Sequence, residues 1–307
     1  MRPAPLLLSL LCSGLLLGGP PRDARATDVD GGNDCTRPVT DYGSAPEGII
    51  AYPSGVIGMF PTCLAPGPVA VRDGMCGTVG PTPGPAGYVR HVQTGASNYW
   101  LGCFSTAAGP SGIDSETDGK VSLGGGASAC GGISTDCLQV AFGSLPYGKD
   151  ECTGDNSDAG VTVSAFAACA LATLPIAVYN CGMERIAYLN VCIDLNHDGD
   201  WVDAIPCTSP AACAPEWAVM NVPVTLTPGC NQIQSPSFRI GPTPGPSWMR
   251  VTISDAPVPS DFPWNGSASA PGGQLNGGET EDYPVVIDAA VAAPGSTWGT
   301  VKTRYHY

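Results

Sequence analysis

Asp194, Asn196 and Asp198 stand at alternate positions in Asp194-Leu-Asn-His-Asp-Gly-Asp-Trp201, with Asp200 following Gly199 and Asp203 just beyond the tryptophan. Carboxylate and amide oxygens at this spacing converge on a hard cation, and the glycine permits the sharp turn that brings them together. Ca²⁺ accepts six to eight oxygens in loose geometry and is the expected ion. The alternative is a solvated acidic hairpin that holds none. A helix-loop-helix site is not expected, because Ile205 occupies the twelfth position, where a bidentate Glu belongs, and Pro206 follows. A second acidic segment, Gly278-Glu-Thr-Glu-Asp-Tyr283, offers Glu279, Glu281 and Asp282 at the mouth of a strand-like run. If the two segments lie side by side, Glu279 or Glu281 supplies the missing carboxylate. One ion would then pin the last strand to the rest of the fold.

Weaker candidates surround this pair. Asp114, Glu116 and Asp118 precede Gly119, and Asp155, Asn156 and Asp158 lie in another Gly-bounded loop; either is a cation site or a soluble turn. His91 is one of 3 histidines, and no metalloprotease, nucleophile-elbow or P-loop motif accompanies it. A structural hydrogen-bonding role is expected for it. The acids sit among Gly and Asn, not in the apolar pocket that a glycosidase acid needs. No catalytic activity is expected. Tyr99, Trp100 and Trp264 form a candidate sugar-stacking set, with Trp264 placed in a loop, whereas Trp201 and Trp248 are expected to pack the core. Asn265-Gly-Ser267 is a glycosylation sequon.

The elements that position these groups read as strands. Val161–Phe166 alternates. Leu189, Val191 and Ile193 share one face, as do Val222, Val224 and Leu226, and Met249, Val251 and Ile253. Ile233–Ile240 and Tyr283–Ile287 complete the set. Six or seven short antiparallel strands with turn signals between them predict an all-β fold, with an antiparallel β-sandwich over 161–288. Residues 27–160 predict an irregular, loop-rich β domain with candidate strands at Tyr88–Gln93, Lys120–Leu123 and Cys137–Phe142. Residues 289–307 read as a linker and a tail that is either a short docking or sorting peptide or a frayed end.

Both acidic segments, together with Trp248-Met-Arg-Val-Thr-Ile253, resemble the GEVED domain of secreted bacterial proteins, which carries an Asp-x-Asn-x-Asp-Gly-Asp loop and ends in Gly-Glu-Val-Glu-Asp-Tyr. Thr280 replaces the motif's Val. Upstream, Asp41-Tyr-Gly-Ser-Ala-Pro46 resembles the Asp-Tyr-Gly-Asp-Ala-Pro box that often precedes such domains, with Ser44 in place of an acid. Arg90-His-Val92, Leu101-Gly102, Asp114–Gly119 and Asp150–Gly160 continue that pattern. The resemblance spans roughly residues 161 to 288 and implies an exported, non-catalytic protein.

Compartment and charge agree. Arg2, the apolar run Leu6–Leu17 and Ala24-Arg-Ala26 read as a signal peptide cut after Ala26, giving segments 1–26, 27–160, 161–288 and 289–307. No later run is long enough to span a bilayer. Of 14 cysteines, Cys12 lies in the signal; the other 13 lack any Cys-x-x-Cys pair and are expected to form disulfides, with an odd thiol left over. The chain carries 13 basic against 27 acidic residues, a net charge of −14. Such a surface disfavours nucleic acid and anionic membrane as partners. An extracellular protein, a polysaccharide or a second copy of the chain remains as partner. The 41 Gly and 31 Pro fit many short strands joined by turns.

Overall fold

The computed structural model describes Cys35 and residues 38–62 (except 44), 69–73, 76–77, 82–95, 98–103, 160–161, 165–208, 211–267 and 273–290. The expected signal segment, the Asp114–Asp118 and Asp155–Asp158 clusters, the candidate strands at Lys120–Leu123 and Cys137–Phe142 and residues 291–307 of the expected tail lie outside them.

The described chain is all-β, as the alternating patterns predict. In order come β1 (Pro38–Tyr42), β2 (Glu47–Ile50), β3 (Ile57–Met59), β4 (Arg90–Thr94), β5 (Tyr99–Leu101), β6 (Phe166–Ala167), β7 (Leu171–Ala172), β8 (Pro175–Asn180) and β9 (Arg185–Ile193). There follow β10 (Ala204–Thr208), β11 (Ala211–Pro215), β12 (Trp217–Leu226), β13 (Gly229–Gln234), β14 (Phe238–Arg239), β15 (Gly245–Ser254), β16 (Leu275–Asn276) and β17 (Glu279–Asp288). One helical turn, α1 (Phe262–Asn265), interrupts them. No helix among the described residues is long and apolar enough to cross a membrane.

A five-stranded sheet, β12-β9-β15-β17-β6, faces a three-stranded sheet, β13-β8-β5. Its inner face carries the residues whose alternation marked them in the sequence. Leu189, Val191 and Ile193 of β9, Met249, Val251 and Ile253 of β15, and Tyr283, Val285 and Ile287 of β17 meet Ile176 and Val178 of β8 in one buried cluster. Burying an aliphatic or aromatic side chain of this kind contributes about 1.5–3 kcal/mol. The strands of the large sheet pair antiparallel except where β17 runs parallel to β6. The expected strand Ile233–Ile240 is instead two, β13 and β14, broken at Pro236, where a ladder amide is missing. The hairpin β10–β11 was not expected, because Ala and Pro dominate it.

The outer face of the large sheet is also buried. Cys192, Trp217 and Trp248 from its strands pack with Trp201, Phe262 and, from the N-terminal stretch, Tyr52, Phe60 and Val89. That stretch is tied in by strand pairing: β5 joins β8 in the three-stranded sheet, and in a further sheet, β1-β4-β16, β16 lies parallel to β4. Covalent links reinforce the contact. Among the described residues, four disulfides join Cys35–Cys181, Cys76–Cys213, Cys103–Cys230 and Cys169–Cys207. The first three connect residues 35–103 to 181–230 across sequence separations of 127 to 146, and loops of that size stabilise by about 4–5 kcal/mol each in the chain-entropy account. Cys192 is a free thiol buried in the outer cluster, where burial pushes its pKa far up and leaves it unreactive.

Candidate metal centre

Asp194 is the first residue beyond β9. Its backbone N–H still donates to Trp248 O at 3.0 Å, so the loop starts from a fixed point on the sheet. Its carboxylate then folds the chain back. Oδ1 accepts from His197 N at 2.6 Å, and Oδ2 accepts from Gly199 N at 2.8 Å and from the Tyr52 hydroxyl at 2.5 Å. The turn drives Gly199 to φ 98°, and a Cβ there would sit 2.4 Å from Ile57 O. Only glycine meets both demands.

Within this turn Asn196 donates to Asp198 Oδ2 at 2.8 Å and to Asp203 Oδ2 at 2.7 Å. Asp200 accepts from Val202 N at 3.0 Å and from Val71 N at 2.7 Å. A further acid enters from the junction of β11 and β12. Glu216 accepts from Leu195 N at 2.8 Å and from Asp203 N at 2.9 Å, and its own amide donates to Asp203 O at 2.9 Å. Asp194, Asp198 and Glu216 each present an oxygen within 4.8 Å of the other two. Ligands 2.3–2.6 Å from a common Ca²⁺ lie at most about 5 Å apart, so the separation fits. The Oδ1 of Asp203, which is 3% exposed, is buried and has no hydrogen-bond partner. A buried carboxylate oxygen with no donor, on the loop that carries these converging acids, is one that a cation would satisfy.

The electrostatics agree. Burial, then the charge of Asp198, raises Asp194 to about 7. Burial, then Asp200, raises Asp198 to about 8. Asp200 rises to about 7, chiefly by burial and against hydrogen bonds from Val202 and Val71. Burial, followed by Asp194, Asp198 and Asp200, pushes Glu216 well above the usual carboxylate range. All four shifts arise from charge confined in a low dielectric, which a bound dication relieves.

The second acidic segment goes elsewhere. Strand register sets Asp194 level with Pro284, through Trp248 of β15. Glu279 and Glu281 lie five and three residues earlier on β17, about 17 and 10 Å along the strand. The expectation that one ion bridges them to the Asp194 loop is therefore corrected: the motif begins at the far end of the sheet. Glu279 accepts from Leu101 N at 2.5 Å, and Glu281 is buried on the same inner face. Asp282 is on the outer face, where it forms a two-point ion pair with Arg250 at 2.7 and 2.6 Å and accepts from Ala45 N at 2.7 Å. Arg250 also donates to Pro61 O at 2.5 Å and to Thr62 Oγ1 at 3.1 Å, and stacks 4.7 Å from the Trp201 ring. Asp41 accepts from Thr280 N at 2.9 Å. The Asp41–Pro46 box and the Gly278–Tyr283 motif thus lock each other, strand to strand, and Asp282 serves an arginine in place of a metal.

His91 has the structural role expected of it. Its Nδ1 lies 2.8 Å from Gly277 O and its Nε2 2.8 Å from Thr280 Oγ1, and burial lowers its pKa to about 4, so it is neutral. The sugar-platform expectation is corrected. Tyr99 and Trp100 are adjacent in β5, buried on opposite faces, the first in the sandwich core and the second stacked on Tyr179 at 5.0 Å. Trp264 lies not in an open loop but in α1, buried against Ala70 and Val202. At the sequon, the half-buried Asn265 donates from Nδ2 to Asp261 at 2.9 Å, and Ser267 is fully buried.

Sequence reading missed Glu216, whose neighbours Ala214, Pro215 and Trp217 give no ligand spacing, and Arg250, whose charge inside an apolar strand was a signal that a buried partner must exist. No curated protein and no solved structure matches the chain. Residues 188–286, a span that holds the acidic loop, Glu216, Arg250 and the Gly278–Tyr283 motif, match the GEVED domain.

Proposed function

We propose that this chain is a secreted bacterial protein, calcium-stabilised and disulfide-bonded, that serves as a structural or adhesive module at the cell surface or in the extracellular matrix and has no catalytic activity. The observation that carries this reading is the convergence of Asp194, Asp198 and Glu216, with a buried, orphaned Oδ1 on Asp203 of the same loop. Those groups, with Asn196 and Asp200, would hold the ion, which would cancel their repulsion and fix the loop. Disulfides that tie distant parts of the chain fit an oxidising compartment, and an extracellular medium ordinarily supplies calcium. The acidic charge favours a protein or polysaccharide partner over nucleic acid. The carbohydrate-binding alternative loses its support with the burial of Tyr99, Trp100 and Trp264.

The test is thermal unfolding of the mature, oxidised chain. A ligand confined to the folded state contributes about 2.7 kcal/mol at a hundredfold excess over its Kd. The melting temperature should rise by several degrees between EDTA and millimolar calcium, and Asp198→Ala should remove most of that rise. Equal melting in the two buffers would overturn the reading.

A further inference from the structure

The ten-residue loop that gathers the acids is also the floor on which part of the N-terminal stretch rests. Tyr52 donates its hydroxyl to Asp194 Oδ2, an oxygen that also holds Gly199 N. Met59 N donates to Gly199 O at 2.7 Å. Val71 N donates to Asp200 Oδ2 at 2.7 Å, and Arg72 Nε to Val202 O at 3.2 Å. Rings follow the same path: Phe60 lies 4.3 Å from Trp201, and Tyr52 lies 5.8 Å from His197. Two of these hydrogen bonds end on carboxylates of the acidic cluster itself. The others end on carbonyls whose positions the turn dictates.

Other anchors of the stretch do not depend on the loop. Ala45 is held by Asp282, Ala51 O by Trp248 Nε1 at 2.9 Å, and Pro61 and Thr62 by Arg250. Between and beyond those points, β2 and β3 form only a two-stranded hairpin, which has marginal stability unless something packs beneath it. What lies beneath is the turn around Gly199, close enough that no Cβ fits between it and Ile57.

We propose that cation occupancy of the Asp194–Asp203 loop controls the docking of residues 52–59 and 69–73 onto the outer face of the sheet. This rests on the calcium reading above. With the ion bound, the carboxylates are drawn together and their outward oxygens and carbonyls are fixed as acceptors. Without it, repulsion among Asp194, Asp198, Asp200, Asp203 and Glu216 opens the turn, and the four hydrogen bonds above are lost together. The core of the sandwich, on the opposite face, keeps its packing.

Hydrogen–deuterium exchange on the full mature chain, with calcium binding measured by calorimetry on the same preparation, tests this. In EDTA the amides of Met59 and Val71 should exchange at least tenfold faster than in millimolar calcium, while those of Leu189 and Val251 stay within about twofold. Calcium binding without any change at Met59 and Val71 would overturn the docking proposal and leave the calcium reading standing. Equal acceleration at Leu189 and Val251 would mean global unfolding and would also overturn it. Absence of calcium binding would overturn both.

Discussion

Replacing Arg250 with Met should be among the most damaging single changes in the described fold. The guanidinium is 1% exposed, and four of its contacts stabilise different pieces: the Asp282 carboxylate, Pro61 O, Thr62 Oγ1 and the Trp201 ring. Removal takes the two-point ion pair away from Asp282, which is itself 1% exposed. Breaking one side of a buried ion pair costs about 3–5 kcal/mol, because the remaining charge stays desolvated. Arg250→Met should therefore lower the unfolding free energy by that amount in urea denaturation. Removing the stranded charge as well, in Arg250→Met with Asp282→Leu, should recover part of the loss. A single variant within 1 kcal/mol of wild type would show that the pair is not buried as described, as would a double variant less stable than the single.

Glu216→Gln should have the second largest effect, and its size should depend on calcium. In EDTA the wild-type protein confines Glu216 with Asp194, Asp198 and Asp200, and burial, then those charges, raises its pKa. An amide removes that repulsion while keeping an acceptor for Leu195 N or Asp203 N. Its NH2 faces the other amide, a lost hydrogen bond worth about 1 kcal/mol that offsets the relief, so without calcium the variant should lie within about 1 kcal/mol of wild type. In calcium it should lose most of the ion's contribution. If affinity falls about a hundredfold, a gain of about 2.7 kcal/mol at a hundredfold excess shrinks to about 0.4 kcal/mol. Thermal unfolding of both proteins in both buffers gives the four values required. An identical calcium gain in the two proteins would remove Glu216 from the site.

The acidic loop was legible because its chemistry is local. The Asx-type bonds from Asp194 to His197 and Gly199 span three and five residues, so the spacing alone encodes them. Strand faces were legible for the same reason: period-2 alternation placed Leu189, Val191, Ile193, Met249, Val251 and Ile253 on one side, and the core holds them there. What failed was pairing over distance. Asp282 reads as a ligand until the register sets it opposite Arg250, 32 residues earlier. Glu216 carries no sign of its role until β11 and β12 deliver it beside Leu195 and Asp203. Trp264 looked available because Asp-Phe-Pro-Trp-Asn has no strand pattern, yet Pro263 sits in the first turn of a short helix that packs the ring inward.

Calorimetric titration of calcium into the mature, oxidised chain bears most directly on the central claim. Wild type, Asp198→Ala, Glu216→Gln and the Glu279→Gln/Glu281→Gln double variant should be compared under one buffer. Binding should be saturable in wild type, strongly weakened in the first two variants, and retained in the third, because β17 starts at the far end of the sheet. No binding heat in wild type, or a loss confined to the Glu279/Glu281 variant, would contradict the site described above.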